Sequence, residues 1–64
     1  MDFSEEVLSV RSDLHLSQKE LAQQLGVTNV TISRWENDKS TPTKRQRMAF
    51  YKFCKANGIG GIGK

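Results

Sequence analysis

Residues 16–37, LSQKELAQQLGVTNVTISRWEN, decide the fold of this chain. Ser17 followed three residues later by Glu20 has the form of a capping box, which predicts a helix opening at Gln18. Leu21, Ala22 and Leu25 then fall on one face of it. Gly26 supplies a left-handed residue that ends this helix without a Cβ penalty, and Thr28, a good N-cap, restarts the chain two residues later. The stretch is therefore expected to form two short helices joined by a tight turn.

With Asn29 set at zero and about 100° per residue, Ser33 falls at about 40°, Asn37 at about 80°, Val30 at about 100° and Arg34 at about 140°. Ile32 and Trp35 fall on the far side. One face of the second helix is expected to be buried. The other offers an amide, a hydroxyl, a methyl-bearing side chain and a guanidinium along one strip, groups able to read base edges in a major groove. Two helices joined in this way form a helix-turn-helix.

The run LSQKELAQQLGV, the pairs Ile32–Ser33 and Trp35–Glu36, and Pro42 resemble the phage-repressor type of helix-turn-helix, the Cro and lambda-repressor-like or XRE family. Upstream, FSEEVLSVRSDLHLSQ is similar to that family's first helix at the same spacing, so the likeness runs from about Phe3 to Pro42. It implies that Gln18 touches a phosphate and braces the recognition helix. It also implies the docking geometry, with the second helix across the DNA backbone and the third in the major groove.

Size and charge agree with a binding domain. At 64 residues the chain is one small domain, and such a chain buries only about 60% of the surface its unfolded form exposes. The net charge of +3 is unevenly spread. Up to Val27, Arg11 and Lys19 stand against Asp2, Glu5, Glu6, Asp13 and Glu20, a balance of −3. From Thr28 onward, eight Lys and Arg stand against Glu36 and Asp38, a balance of +6. Positive charge begins where the recognition helix begins, as a surface for a polyanion requires. The single cysteine, Cys54, excludes an internal disulfide and points to a reducing compartment. No run approaches a membrane span and no signal-peptide pattern precedes the first helix, so a cytoplasmic, nucleoid-associated location is expected.

Before the motif, Ser4 is the expected N-cap of a helix running to about Asp13, with Phe3, Val7, Val10, Arg11 and Leu14 recurring at helical spacing. His15 stands where members of the family usually have glycine. It must take a left-handed backbone or end the helix differently, and it is read as a surface turn residue. After the motif, NDKSTPT is a run of turn formers in which Asp38 occupies another common glycine position. Thr41 and Pro42 are expected to cap and open a last helix that ends near Ala56 before Gly58. Its apolar residues divide into two groups, Met48, Tyr51 and Cys54 against Ala49, Phe50 and Phe53. One group would cover the core and the other would meet a second subunit or another protein, or both would wrap one small core. Residues 1–57 are the expected domain and the glycine-rich residues 58–64 a disordered tail or linker start.

Asn29, Val30, Ser33 and Arg34 are the candidate base-reading residues. Asparagine pairs with adenine, arginine with guanine, and valine presses on a thymine methyl, each good pair discriminating by about 1–3 kcal/mol. Gln18, Thr28, Thr31, Asn37, Lys39, Lys44 and Arg45 are the candidate phosphate contacts. Trp35 is read as core. One histidine and one cysteine far apart, with no phosphate loop, metal-ligand spacing or carboxylate pair, give no basis for an enzyme, a cofactor or a metal. The expected protein is an all-α, four-helix lambda-repressor-like domain. It binds double-stranded DNA sequence-specifically as a transcription regulator, a repressor, and pairs as a homodimer on DNA or is tethered to another domain. The rival readings are an antitoxin-like or adaptor module that keeps the fold without reading DNA, and the DNA-targeting domain of a larger enzyme.

Overall fold

A computed structural model describes residues 2–59. They form four helices, α1 (Phe3–Leu14), α2 (Gln18–Leu25), α3 (Asn29–Glu36) and α4 (Lys44–Ala56), and no strand. The all-α architecture expected from the sequence is the one found.

The same device ends every helix. His15 (φ 56°), Gly26 (φ 71°), Asp38 (φ 58°) and Gly58 (φ 74°) take left-handed backbones. The amide of the following residue then donates to a carbonyl five residues back: Leu16 to Arg11 at 2.9 Å, Val27 to Ala22 at 3.0 Å, Lys39 to Arg34 at 2.8 Å and Ile59 to Cys54 at 3.0 Å. These are Schellman closures, and they satisfy carbonyls that a helix end leaves unpaired. At Gly26 only the backbone demands glycine, since a Cβ there would meet nothing within 4 Å. His15 and Asp38 hold the same conformation with a Cβ, so each carries strain that glycine lacks. His15→Gly and Asp38→Gly are each expected to raise unfolding stability by about 0.5–1 kcal/mol, net of glycine's greater freedom when unfolded. Urea unfolding followed by circular dichroism checks this, with Gly26→Ala as the control of opposite sign.

Two helix starts differ from the sequence-based expectation. α1 is capped by Asp2, not Ser4: its carboxylate accepts from the Glu5 amide at 3.0 Å and the Ser4 hydroxyl at 2.7 Å. The Ser4 hydroxyl, and then the Glu5 amide, hold the Asp2 carboxyl below its usual range. α4 opens at Lys44 behind Thr43, not at Pro42 behind Thr41. Thr43 Oγ1 accepts from the Gln46 amide at 3.1 Å, and Gln46 Oε1 accepts from the Thr43 amide at 2.9 Å. That reciprocal pair satisfies two orphan donors, which a cap at Thr41 does not.

Each helix contributes to one core: Val7 and Val10 from α1, Leu21 and Ala22 from α2, Ile32 and Trp35 from α3, Phe50 and Cys54 from α4. Phe3 joins three helices, its ring 5.3 Å from Trp35, 5.2 Å from Phe50 and 6.5 Å from Tyr51 in edge-on contacts. The Arg47 guanidinium lies 5.4 Å from the Phe3 centroid. The two apolar groups expected on α4 are regrouped. Phe50 and Cys54, four residues apart, are buried together, with Tyr51 and Phe53 partly buried on either side. Met48, six residues from Cys54, is turned about 240° from it and is left 62% exposed. The helix thus has one buried face, not two.

Burial, and secondarily the Glu6 carboxylate, push the Cys54 thiol up to about 11. A thiolate is the reactive form, so labelling by a disulfide reagent at pH 8 should be on the order of 100-fold slower than in denaturant. Equal rates in the two conditions would contradict the burial. The expected tail begins inside the last closure, where Gly58 supplies the left-handed residue and Ile59 packs against the core. Residues 60–64 of that tail lie outside the described residues.

Candidate nucleic-acid interface

The turn between α2 and α3 follows from its caps. Ser17 and Glu20 form the complete capping box at the start of α2, and Thr28 caps α3 by accepting from the Thr31 amide at 3.3 Å. Only Gly26, Val27 and Thr28 separate the two helices. With α2 ended by Gly26 and α3 started by Thr28, the angle between them is set by backbone hydrogen bonds and by the burial of Leu21 and Ile32.

On α3 the two faces separate as expected. Ile32 and Trp35 are buried, at 0% and 2% exposure, while Asn29, Val30 and Arg34 are exposed and Ser33 is half-buried beside them. Val30 is 53% exposed. A thymine methyl is a partner that would cover this apolar side chain.

The candidate phosphate contacts lie at the start of α2, at both ends of α3, in the loop after it and at the start of α4. Gln18, at the start of α2, donates from Nε2 to Glu36 Oε1 at 2.8 Å, so it braces α3 from the side. Thr28 and Thr31 share a hydroxyl contact of 3.0 Å at the start of α3. Asn37 closes the other end of α3, donating from Nδ2 to the Ser33 carbonyl at 2.8 Å. Lys39 is in the loop, and Lys44 and Arg45 are the first two residues of α4; all three are exposed. The first turn of α4 has no acidic residue. Cations at the positive end of a helix dipole oppose the fold, typically by about 0.3–1 kcal/mol each. The same arrangement concentrates positive potential where a phosphate would bind.

Sequence reasoning missed the pair that fixes α3. Glu36, which the sequence offers only as one half of the Trp35–Glu36 pair, has a side chain only 5% exposed. Arg11 of α1 grips it with two donors, Nε to Oε2 and Nη2 to Oε1, while Arg11 Nη1 donates to the Leu16 carbonyl at 3.1 Å. Glu36 therefore accepts from α1 through Arg11 and from α2 through Gln18, locking α3 to both. Among the described residues no buried side-chain polar atom lacks a partner. The available signal was Arg11 itself, a cation recurring in register with Phe3, Val7, Val10 and Leu14 on the inward stripe of α1.

An all-α fold whose third helix is clamped from behind and polar in front defines a helix-turn-helix protein. Residues 9–46 match the helix-turn-helix family model, and the chain belongs to that family in its XRE type, a family of DNA-binding regulators of transcription. Over 53 residues, 83% of this chain, it is 36% identical to the HTH-type transcriptional activator BcrR of Enterococcus faecalis. The chain spans 26% of the length of that relative. No solved structure matches. No helix among the described residues is long and apolar enough to cross a membrane.

Proposed function

We propose that this chain binds double-stranded DNA sequence-specifically, with Thr28–Asn37 in the major groove. Asn29, Val30, Ser33 and Arg34 meet base edges. Gln18, Thr28, Thr31, Asn37, Lys39, Lys44 and Arg45 meet phosphates. The observation that carries this is the split of α3: its apolar side is wholly buried and braced by Arg11, Glu36 and Gln18, while its polar side is left to solvent. A braced helix keeps its free face in one orientation, which base reading requires.

A domain this small makes few contacts, so two copies on sites about one helical turn apart, or a tether to a further domain, supply the rest of the affinity. Repression follows from occupancy alone, because a bound domain excludes competitors from its site; activation needs a further contact with the transcription machinery. A promoter fusion carrying the bound site distinguishes the two by the sign of the response. The protein acts where the DNA is, in the cytoplasm.

The test is a titration of random-sequence duplex DNA against salt. Three cations at about 0.9 each give a slope near −3 in log affinity against log salt. Lys44→Glu is expected to flatten that slope by one to two and weaken binding to every sequence. It should also stabilise the fold by about 0.3–1 kcal/mol, because the acid now suits the helix dipole. Opposite signs in affinity and stability mark a residue kept for its ligand. Affinity absent, or independent of salt, would favour the adaptor reading.

A further inference from the structure

The chain holds three asparagines, and only Asn57 is followed by glycine; Asn29 precedes Val30 and Asn37 precedes Asp38. That dipeptide carries a chemistry that DNA binding does not use. Once hydroxide has taken the proton of the Gly58 amide, its nitrogen can attack Asn57 Cγ. A new C–N bond closes a five-membered succinimide, the bond from Cγ to Nδ2 breaks, and the departing nitrogen takes a proton from water and leaves as ammonia. Hydroxide is thereby returned. A second water opens the ring at either carbonyl and leaves aspartate or isoaspartate at position 57. Glycine permits the attack because no side chain shields its nitrogen.

The fold ties up each reacting group in the closure of α4. Asn57 Nδ2 donates to the Phe53 carbonyl at 2.8 Å, and the Gly58 amide donates to the Lys55 carbonyl at 3.1 Å. The Ile59 amide donates to the Cys54 carbonyl at 3.0 Å, and its side chain packs against the core. Asn57 has ψ 13°. Its Cβ stands about 120° round Cα from the amide nitrogen, so the ring closes only near a ψ of about −120°, outside the broad allowed regions. The closure must open first. Asn57 and Gly58 are both exposed, so water and hydroxide reach them when it does.

We infer that Asn57–Gly58 is a site of spontaneous covalent modification, held off by the α4 closure and, once modified, unable to rebuild it. The product carries a carboxylate where Nδ2 donated, so an acceptor faces the Phe53 carbonyl at the negative end of the helix. Ile59 loses part of its anchor. The change runs one way, at a rate set by how often the last turn opens.

The full chain is kept at mildly alkaline pH, in buffer and in urea, and the tryptic peptide that begins at Ala56 is followed by mass and by chromatography. In urea Asn57 should convert ahead of Asn29 and Asn37, giving both aspartate and isoaspartate, and Gly58→Ala should slow it there, where folding plays no part. In buffer conversion should be roughly tenfold slower or more, by the factor that hydrogen exchange of the Gly58 amide reports for opening. Asn57→Asp, which fixes one product in place, should speed exchange of the Ile59 amide about two- to fivefold. Equal rates in buffer and urea, aspartate without isoaspartate, Asn29 or Asn37 converting first in urea, or unchanged Ile59 exchange in Asn57→Asp would each overturn the proposal.

Discussion

Glu36→Ala should destabilise the domain by about 3–5 kcal/mol, the largest effect of any surface-adjacent substitution in this chain. The side chain is 5% exposed, and its removal strands Arg11, itself only 23% exposed, beneath α3 without its carboxylate. Gln18 loses its acceptor at the same time. Small domains have about 5 kcal/mol in hand, so the variant keeps about 0–2 kcal/mol, and from a few per cent to about half of it should be unfolded at room temperature. Urea unfolding gives the number. Arg11→Met combined with Glu36→Leu should recover most of the loss, because an apolar pair leaves no buried charge without a partner. A cost below about 1 kcal/mol for Glu36→Ala would mean that the pair is solvated and does not hold α3 in place.

Arg34→Ala should leave stability within about 0.5 kcal/mol of the parent, as expected for an exposed side chain. Its effect lies in recognition. A bidentate arginine–guanine contact discriminates by about 1–3 kcal/mol, so affinity for a preferred site should fall roughly 10- to 100-fold. Affinity for random duplex should fall much less, since the loops and the α4 start still supply phosphate contacts. Binding isotherms on a selected site and on a scrambled one separate the two losses. An equal loss on both would make Arg34 a phosphate contact and remove it from the base-reading set.

Where the sequence was legible, local chemistry and periodicity agreed. The capping box at Ser17 and Glu20, Gly26 in the turn and the alternation of Ile32 and Trp35 with Asn29 and Arg34 each pointed to one arrangement, and α2 and α3 follow them. The start of α4 was misplaced because Thr41–Pro42 and Thr43–Gln46 are both good openings, and only the second closes two hydrogen bonds. The two-faced reading of α4 failed at Met48 and Cys54, which lie on different sides of the helix. Glu36 was invisible for a different reason. Its meaning depends on Arg11, 25 residues away, and one sequence does not show which charge meets which. His15 and Asp38 were legible as glycine substitutes, and both take the backbone that glycine would.

The central claim is that the free strip of α3 enters the major groove, and methylation interference on a selected duplex tests it most directly. Methyl groups on guanine N7 block the major-groove edge, and those on adenine N3 block the minor groove. The expected result is loss of binding on N7 methylation within the site, absent in Arg34→Ala at the guanine that Arg34 reads, with N3 methylation tolerated. Interference only from the minor groove, or none from either, would contradict it.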